Sequence, residues 1–193
     1  MEADWAAEIG ADLPSIDVPW ECFVDLRDAP SAAEAVEEAI DHPALREALL
    51  TLNSKASPVF TTKCDVWTLS SSEIDHDEFA SHSENAQEGF ASYIDILQRD
   101  PDQFASFDFH ERWSRSLTHH LQDLTLSNGR AEIVIRPANV DASPGYGLTL
   151  YAAGCGADAL SAYAAWQAVL RAAVIATMDL VVFLRPRASS SIG

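Results

Sequence analysis

The chain has 193 residues, of which 48% are hydrophobic and 22% are charged, and its formal net charge at pH 7 is −18. This length suits one domain, and the many aromatic side chains need a packed core, so disorder of the whole chain is excluded. Only 3 cysteines and 8 glycines are present, which excludes a disulfide scaffold and a collagen-like chain. Nucleic-acid binders and proteins that bind anionic membranes carry the opposite charge, so we expect neither kind of partner.

The start of the chain and its cysteines indicate a cytoplasmic protein. Residues Met1–Trp5 are acidic and lack the basic start and apolar run of a secretory signal. Cys22, Cys64 and Cys155 are widely spaced and match neither a disulfide framework nor a zinc pattern. We therefore expect three reduced, buried thiols, no metal and no cofactor.

The first half of the chain shows both strand and helix patterns. Residues 1–17 look irregular, and a period-two pattern follows over 18–26. Ser31 and Glu34 have the spacing of a capping box, which starts a helix that runs to about Asp41. Further along, the patterns predict a helix over 43–52, a strand over 58–69, a loop with one helical turn over 70–84, and a helix over 83–98.

The second half begins with a helix that Asp100 caps, whose register resets at Asp108 and which Asn128–Gly129 ends. Strands over 130–136 and 146–153 form an antiparallel hairpin, and a long helix over 158–178 precedes a last short strand over 179–184. Neighbouring strands without a helix between them favour an α+β fold with a mixed or antiparallel sheet of about four to five strands and about five helices. We expect a single domain over 1–185 and a tail over 186–193.

The 158–178 helix is apolar around nearly its whole circumference, which predicts a central core element. A membrane span needs about 20 strongly apolar residues. Many positions here are alanine, and Gln167, Arg171 and Asp179 interrupt the run. We therefore expect a buried helix.

The acidic charge is concentrated in the first half of the chain. Residues 1–50 carry a net charge of −11 and residues 51–100 carry −6, whereas residues 151–193 carry +1. Such a bias is typical of a solvated surface that aids solubility, and it also suits a face that binds a basic partner. Glu34, Glu37 and Glu38 are the candidate residues of that face.

Lys63, Asp65 and Trp67 alternate along the 58–69 strand and should share one of its faces. A lysine, a carboxylate and an indole in this arrangement are candidates for a binding pocket. The alternative, an ion pair that shields an aromatic side chain on an edge strand, is the commoner meaning of the pattern.

The Gly154-Cys155-Gly156 segment lies between a strand and a helix start, where a thiol or an anion can be stabilised. Its flanks match no phosphate-binding loop, and Asp158 would repel both a thiolate and a phosphate. A tight turn with a buried cysteine is the favoured interpretation, and Cys155 stays a candidate.

Two other polar clusters are expected to be solvated. Asp75–Glu78 places four potential ligands in consecutive positions, which rarely converge on one ion. His119 and Asp123 lie one helical turn apart, without a zinc-protease motif.

Two functions remain open from the sequence. The first is an acidic protein-interaction module, such as an inhibitor, an immunity protein or a chaperone-like protein, that captures a basic partner. The alternative is a small enzyme or ligand-binding domain with a pocket near Lys63, Asp65, Trp67 or Cys155. A second copy of the chain is a further candidate partner.

Overall fold

Six strands form one mixed sheet in the computed structural model, which describes residues 1–21, 23–75, 78–79 and 86–184. The strands are β1 (Glu2–Ala7), β2 (Ile16–Val18), β3 (Val59–Ser70), β4 (Glu88–Gln98), β5 (Gly129–Val140) and β6 (Ser143–Gly156). The α-helices of the described residues are α1 (Glu37–Asp41), α2 (Pro43–Leu52), α3 (Pro101–Phe104), α4 (Phe107–Gln122) and α5 (Ala159–Leu184), and 3-10 helices span Pro30–Ala35 and Ser71–Glu73. The predicted α+β class with a mixed sheet is confirmed.

The strand order across the sheet is β1-β5-β6-β4-β3. β1 and β2 lie end to end along the same side of β5 and are parallel to it, whereas the other neighbouring pairs are antiparallel. β3 therefore forms one edge of the sheet.

The main core lies between one face of the sheet and the helices α2, α4 and α5. Ile94, Ile133 and Leu150 project from the sheet, and Trp113 and Trp166 fill the space between them and the helices. Trp166 is fully buried, and its Nε1–H donates a hydrogen bond to Ser92 Oγ at 2.9 Å. An indole in such a position supplies a large apolar area and also needs a partner for its N–H.

The helix α5 is expected from the sequence to be buried around nearly its whole circumference. The structure confirms this burial only for the side of α5 that faces the sheet. Leu160 is 80% exposed and Ile175 is 53% exposed, so the outer side of the helix is not covered by the described chain. Residues Ala159–Val181 are long and apolar enough to cross a membrane by length and composition alone, and 44% of that window is buried. A core helix of a soluble protein has the same properties.

The helix predicted over 83–98 is wrong for the part that the structure describes. Residues Glu88–Gln98 form β4, the strand between β6 and β3. Phe90, Tyr93, Ile94 and Leu97 follow a helical spacing by coincidence. β4 has buried residues on both faces, so the alternation that marks a half-exposed strand is absent.

Four further boundaries differ from expectation. Residues Glu2–Ala7 and Ile16–Val18 are strands rather than irregular chain. Beyond the cis Val18–Pro19 bond, the described part of 18–26 is loop, and Cys22 lies outside the described residues. The 31–41 helix is divided, because Val36 is extended and separates the 3-10 helix from α1. Residues 179–184 continue α5 instead of forming a strand, and residues 186–193 lie outside the described chain.

Other elements agree with the patterns. α2 spans Pro43–Leu52, and β3 begins and ends within one residue of the predicted strand. Asp100 caps α3 through the N–H groups of Asp102 and Gln103 as predicted. The predicted reset of register at Asp108 is instead a new helix, α4, which Ser106 caps and which ends at Gln122, before the predicted end at Asn128–Gly129. The β5–β6 hairpin is longer than predicted, because its turn needs only Asp141 and Ala142, which have positive φ angles of 48° and 65°.

Candidate functional site

A bulge in the edge strand β3 sets the geometry of the candidate site. Thr61 pairs with Ile96 and Cys64 pairs with Ile94, so Thr62 and Lys63 together lie opposite the single residue Asp95. A bulge bends the strand that carries it and changes the direction of its side chains. Here it brings the backbone of Lys63 opposite Asp95 of the neighbouring strand, and the charge of Lys63 acts to lower the pKa of Asp95.

A cleft with a volume of about 430 Å³ opens beside this bulge. Pockets of roughly 300–1,000 Å³ are the usual size for binding sites. We call it the bulge cleft. Its walls come from the 20–26 loop, from the end of the 3-10 helix and the start of α1, from α2, and from strands β3 and β4. The lining residues are Trp20, Val24, Leu26, Ala35, Val36, Glu37, Glu38, Leu49, Thr61, Thr62, Lys63, Cys64 and Tyr93. Three residues singled out in the sequence, Glu37, Glu38 and Lys63, therefore lie in one cleft.

Lys63 is engaged by aromatic and acidic groups. Its Nζ lies 5.1 Å from the centroid of the Trp20 ring, within the range of a cation–π contact. Hydrogen bonds from Ser15 and Asn139 lower the pKa of Asp17, and the charge of Lys63 lowers it further. The same charge opposes the raised pKa of Asp95, although Lys63 forms no ion pair within the described ranges.

Glu37 and Glu38 form the acidic wall of the cleft. Both belong to the first turn of α1, where carboxylates interact favourably with the helix dipole. Neither forms an ion pair with any residue in the described ranges. Burial raises the pKa of the Cys64 thiol to about 12, and the charges of Glu38, Asp65 and Asp95 raise it in the same direction. The charge of Glu38 therefore reaches the thiol next to the bulge.

Thr62, at the bulge, carries a buried hydroxyl group. Its side chain is part of the lining, yet the residue is only 8% exposed. Its Oγ1 has no hydrogen-bond partner in the described part of the chain. It is one of ten buried side-chain polar atoms that lack a partner among the described residues, and each costs about 1–3 kcal/mol unless water or a ligand satisfies it.

A polar network lies behind the cleft on the sheet face opposite the main core. Thr149 Oγ1 donates to Asp95 Oδ1 at 2.6 Å, and Arg136 Nη1 donates to Thr149 Oγ1 at 3.1 Å. Arg136 Nη2 also donates to Tyr151 at 3.2 Å and to Glu8 Oε2 at 2.9 Å. Burial raises the pKa of Asp95, while the Thr149 hydrogen bond and the charges of Arg136 and Lys63 oppose this shift.

Sequence reasoning missed this network. The helical spacing over 83–98 places Asp95 in a helix, and the pairing that brings it to Thr149 joins strands far apart in the chain. Arg136 stood in a correctly predicted strand, where its alternation with Ile133 and Ile135 was the only available signal.

The structure does not bring Lys63, Asp65 and Trp67 into one pocket. Trp67 is 37% exposed and lines a separate cavity of about 160 Å³ together with Arg130 and Glu132. Asp65 is exposed beyond the cleft, where its Oδ1 accepts a hydrogen bond from the backbone N–H of Val66 at 2.7 Å. Glu34 is exposed on the 3-10 helix and is not part of the cleft lining.

The same arrangement occurs at both edges of the sheet. Asp4 Oδ1 in β1 accepts from the backbone N–H of Trp5 at 2.7 Å, as Asp65 does from Val66 in β3. A carboxylate that binds a main-chain donor of an edge strand makes that donor unavailable to a further strand.

Cys155 lies far along the sheet from the bulge cleft. It is fully buried with Ile74, Phe79 and Ala86, and it belongs to β6 rather than to the predicted turn. The flanking glycines serve packing, since a Cβ on Gly154 would overlap the backbone nitrogen of Trp166.

The N-terminus of α5, next to Cys155 in the sequence, has a cap of its own. The Asp158 carboxylate accepts from the backbone N–H of Ser161 at 2.8 Å and from Ser161 Oγ at 2.7 Å. Asp158 therefore occupies the place where an anion would bind.

Among the residues that the structure describes, no group of three or more His, Cys, Asp or Glu side chains has an arrangement suited to a metal ion. His76 and Asp77 of the Asp75–Glu78 run lie outside those residues. His119 and Asp123 lie at the end of α4, where the backbone N–H of Asp123 donates to the carbonyl of His119.

No known protein family model matches the chain, and no curated protein or solved structure shows significant similarity to it.

Proposed function

We propose that the chain is an acidic cytoplasmic protein-interaction module that captures a basic partner at the bulge cleft. The observation that carries this proposal is the acidic wall of Glu37 and Glu38, which has no counter-ion in the described chain although the cleft also contains Lys63. The two carboxylates of the wall outnumber the single ammonium group of the cleft, so the charge of this lining is net negative. An inhibitor, an immunity protein or a chaperone-like protein would use such a surface.

The distribution of charge along the chain supports the same function. Residues 1–50 contribute a net charge of −11, and these residues supply two walls of the cleft, the 20–26 loop and the start of α1. A charged surface of this kind increases the association rate with an oppositely charged partner, and the increase falls with ionic strength.

Affinity purification with a pair of neutralised variants tests the proposal. The tagged protein is incubated with native lysate at low and high salt, and captured proteins are identified and cross-linked to map the contact. We expect a stoichiometric basic protein that is cross-linked near α1 and lost at high salt. Glu37→Gln with Glu38→Gln should reduce its capture by at least about tenfold, because charge pairs in an interface carry association and specificity.

The matched control neutralises two exposed carboxylates on the helical side, Asp123→Asn with Asp179→Asn, which changes the net charge by the same amount. This variant should capture the partner as the unmodified protein does. If both variants lose capture equally, or if neither loses it, the acidic residues serve solubility rather than binding. Recovery of a second copy of the chain as the only partner would contradict capture of a basic protein.

A ligand-binding or catalytic domain is the second candidate function. The observation in its favour is the buried Asp95 with its raised pKa, since a costly carboxylate inside a polar network is typical of functional sites. The same purification distinguishes the two functions, because a bound small molecule without a protein partner supports this one.

A further inference from the structure

We infer that the bulge cleft is an anchor pocket for one arginine side chain of the basic partner. This inference rests on the proposed function and specifies the chemistry of its contact. It depends on three features of the described residues: the division of the lining into apolar and acidic parts, the hydroxyl of Thr62, and the blocked edge of β3.

The lining suits a long side chain that has an apolar stem and a cationic end. Val24, Leu26, Val36 and Leu49 supply apolar surface for methylene groups, and Glu37 and Glu38 supply carboxylate oxygens. Long basic side chains bind in this divided way, with the stem packed and the charge paired. The cleft volume of about 430 Å³ exceeds what one such side chain fills, so water or neighbouring partner atoms share it.

Thr62 is the second and independent observation. Its hydroxyl belongs to a cleft residue that is more than nine-tenths buried, and it has no partner within the described chain. Thr62 Oγ1 is enclosed in the free protein, so binding must turn this side chain toward the cleft. In that position the hydroxyl and the two carboxylates make a set of acceptors that outnumbers the three donors of an ammonium group. A guanidinium has five N–H donors in a plane and also stacks on aromatic rings such as Tyr93, so arginine fits this set better than lysine.

The edge of β3 favours a side chain over an added strand. Asp65 already accepts from the backbone N–H of Val66, and the bulge interrupts the regular spacing of donors at Thr62 and Lys63. A partner strand would have to displace the carboxylate and pair across the bulge. An inserted side chain needs neither change.

Model peptides provide a direct test. The probes are acetyl-Gly-Gly-Arg-Gly-Gly-amide and the same peptide with citrulline, which has nearly the shape of arginine but no charge. Binding is followed through the backbone amide resonances of the full chain by NMR titration. The arginine peptide should shift the signals of Thr62, Lys63 and Glu38, with an affinity at least about tenfold above that of the citrulline peptide, because charge-assisted hydrogen bonds are the strong ones.

Two variants separate binding from folding. Thr62→Val keeps the shape of the side chain and removes the hydroxyl, so it should leave the urea midpoint unchanged or higher while the arginine peptide binds several-fold more weakly. Glu37→Gln with Glu38→Gln should abolish the preference for arginine over citrulline, and Asp123→Asn with Asp179→Asn should keep it. Equal shifts with both peptides, shifts centred away from the cleft, or unchanged affinity in Thr62→Val would overturn the inference.

The outcomes also separate this inference from the function on which it rests. If Glu37→Gln with Glu38→Gln loses a basic protein but no peptide shifts the cleft signals, the interaction surface stands and the arginine pocket fails. If neither the protein nor the peptide depends on these two carboxylates, both fail.

Discussion

His110 is fully buried in α4 as a neutral ring. Its Nδ1 lies 2.8 Å from the carbonyl oxygen of Ser106 and donates to it, and its Nε2 has no partner in the described chain. The rings of Phe109, Trp113 and Tyr146 lie within about 6 Å of the His110 ring, a contact range typical of packed aromatic side chains. Burial lowers the pKa of His110 to about 4, although the Ser106 hydrogen bond opposes this shift.

This pKa predicts that acid weakens the fold. The folded pKa lies below the ordinary value of 6.5, so the stabilising contribution is present above pH 6.5 and is lost as the pH falls toward 4. Between pH 7 and pH 5 the contribution should fall by about 2 kcal/mol. Urea unfolding of the unmodified protein and of His110→Phe at both pH values measures it. Parallel losses in the two proteins would show that His110 is not responsible.

At the level of single residues, the sequence predicted part of the candidate site. The chemistry of Lys63, Glu37 and Glu38 marks them as candidates in the sequence, and the structure places all three in one cleft. The bulge in β3 and the position of α1 beside this edge of the sheet bring the three residues together. Neither feature can be recognised from a pattern in the sequence. Asp95 and Thr62 were overlooked, because a buried acid and a buried hydroxyl look ordinary until their partners are known.

At the level of elements, the close packing of α5 on β6 depends on glycine. Gly154 faces the backbone of Trp166 so closely that a Cβ has no room, and backbone atoms cannot move aside as a flexible side chain can. Gly154→Ala should therefore lower the free energy of unfolding by about 1–3 kcal/mol.

A glycine with free space provides the control for that substitution. A Cβ on Gly10 would meet Leu13 at an ordinary distance of 3.4 Å, so Gly10→Ala should change stability by less than about 0.5 kcal/mol. Urea denaturation of both variants compares them. A Gly154→Ala protein as stable as Gly10→Ala would mean that α5 shifts away from β6 at little cost.

The elements that were predicted correctly have patterns that local physics determines. α2 starts at Pro43 and buries one stripe of leucines, and β3 is rich in β-branched and aromatic residues. The sequence patterns do not predict strands β4 and β1, because these segments become strands only through pairing with other strands. β4 is buried between two neighbours, and β1 is a short strand whose parallel partner, β5, lies far along the chain.

At the level of the whole molecule, the net charge of −18 opposes compactness and favours binding to a basic partner. Salt screens the repulsion among the acidic residues and also their attraction to a basic protein, so it should stabilise the fold and weaken binding. We expect the free energy of unfolding to rise from about 50 mM to about 500 mM KCl, because repulsion among the acids weakens. Over the same range, capture of the proposed basic partner should decline.

Urea denaturation at each salt concentration, together with the affinity purification described above, measures the two trends. A fall in stability with salt would mean that the ion pairs Arg136–Glu8 and Arg171–Glu47 contribute more to the fold than the repulsion removes. The fold class followed from composition and element order, whereas the placement of charge on the surface depends on topology that the sequence pattern does not contain.

The pairing of β1 with β5 also affects how the protein is made. Glu2 lies beside Arg130, so the first strand leaves the ribosome well before its partner has been translated. Synthesis of the intervening chain at about 5–20 residues per second takes on the order of ten seconds. Throughout that time β1 is an unpaired segment of a nascent polypeptide, and Glu2 and Asp4 keep it charged. Asp4 binds the N–H of Trp5 in the finished sheet, and a charge in an unpaired strand is the kind of feature that limits association before the partner strand arrives.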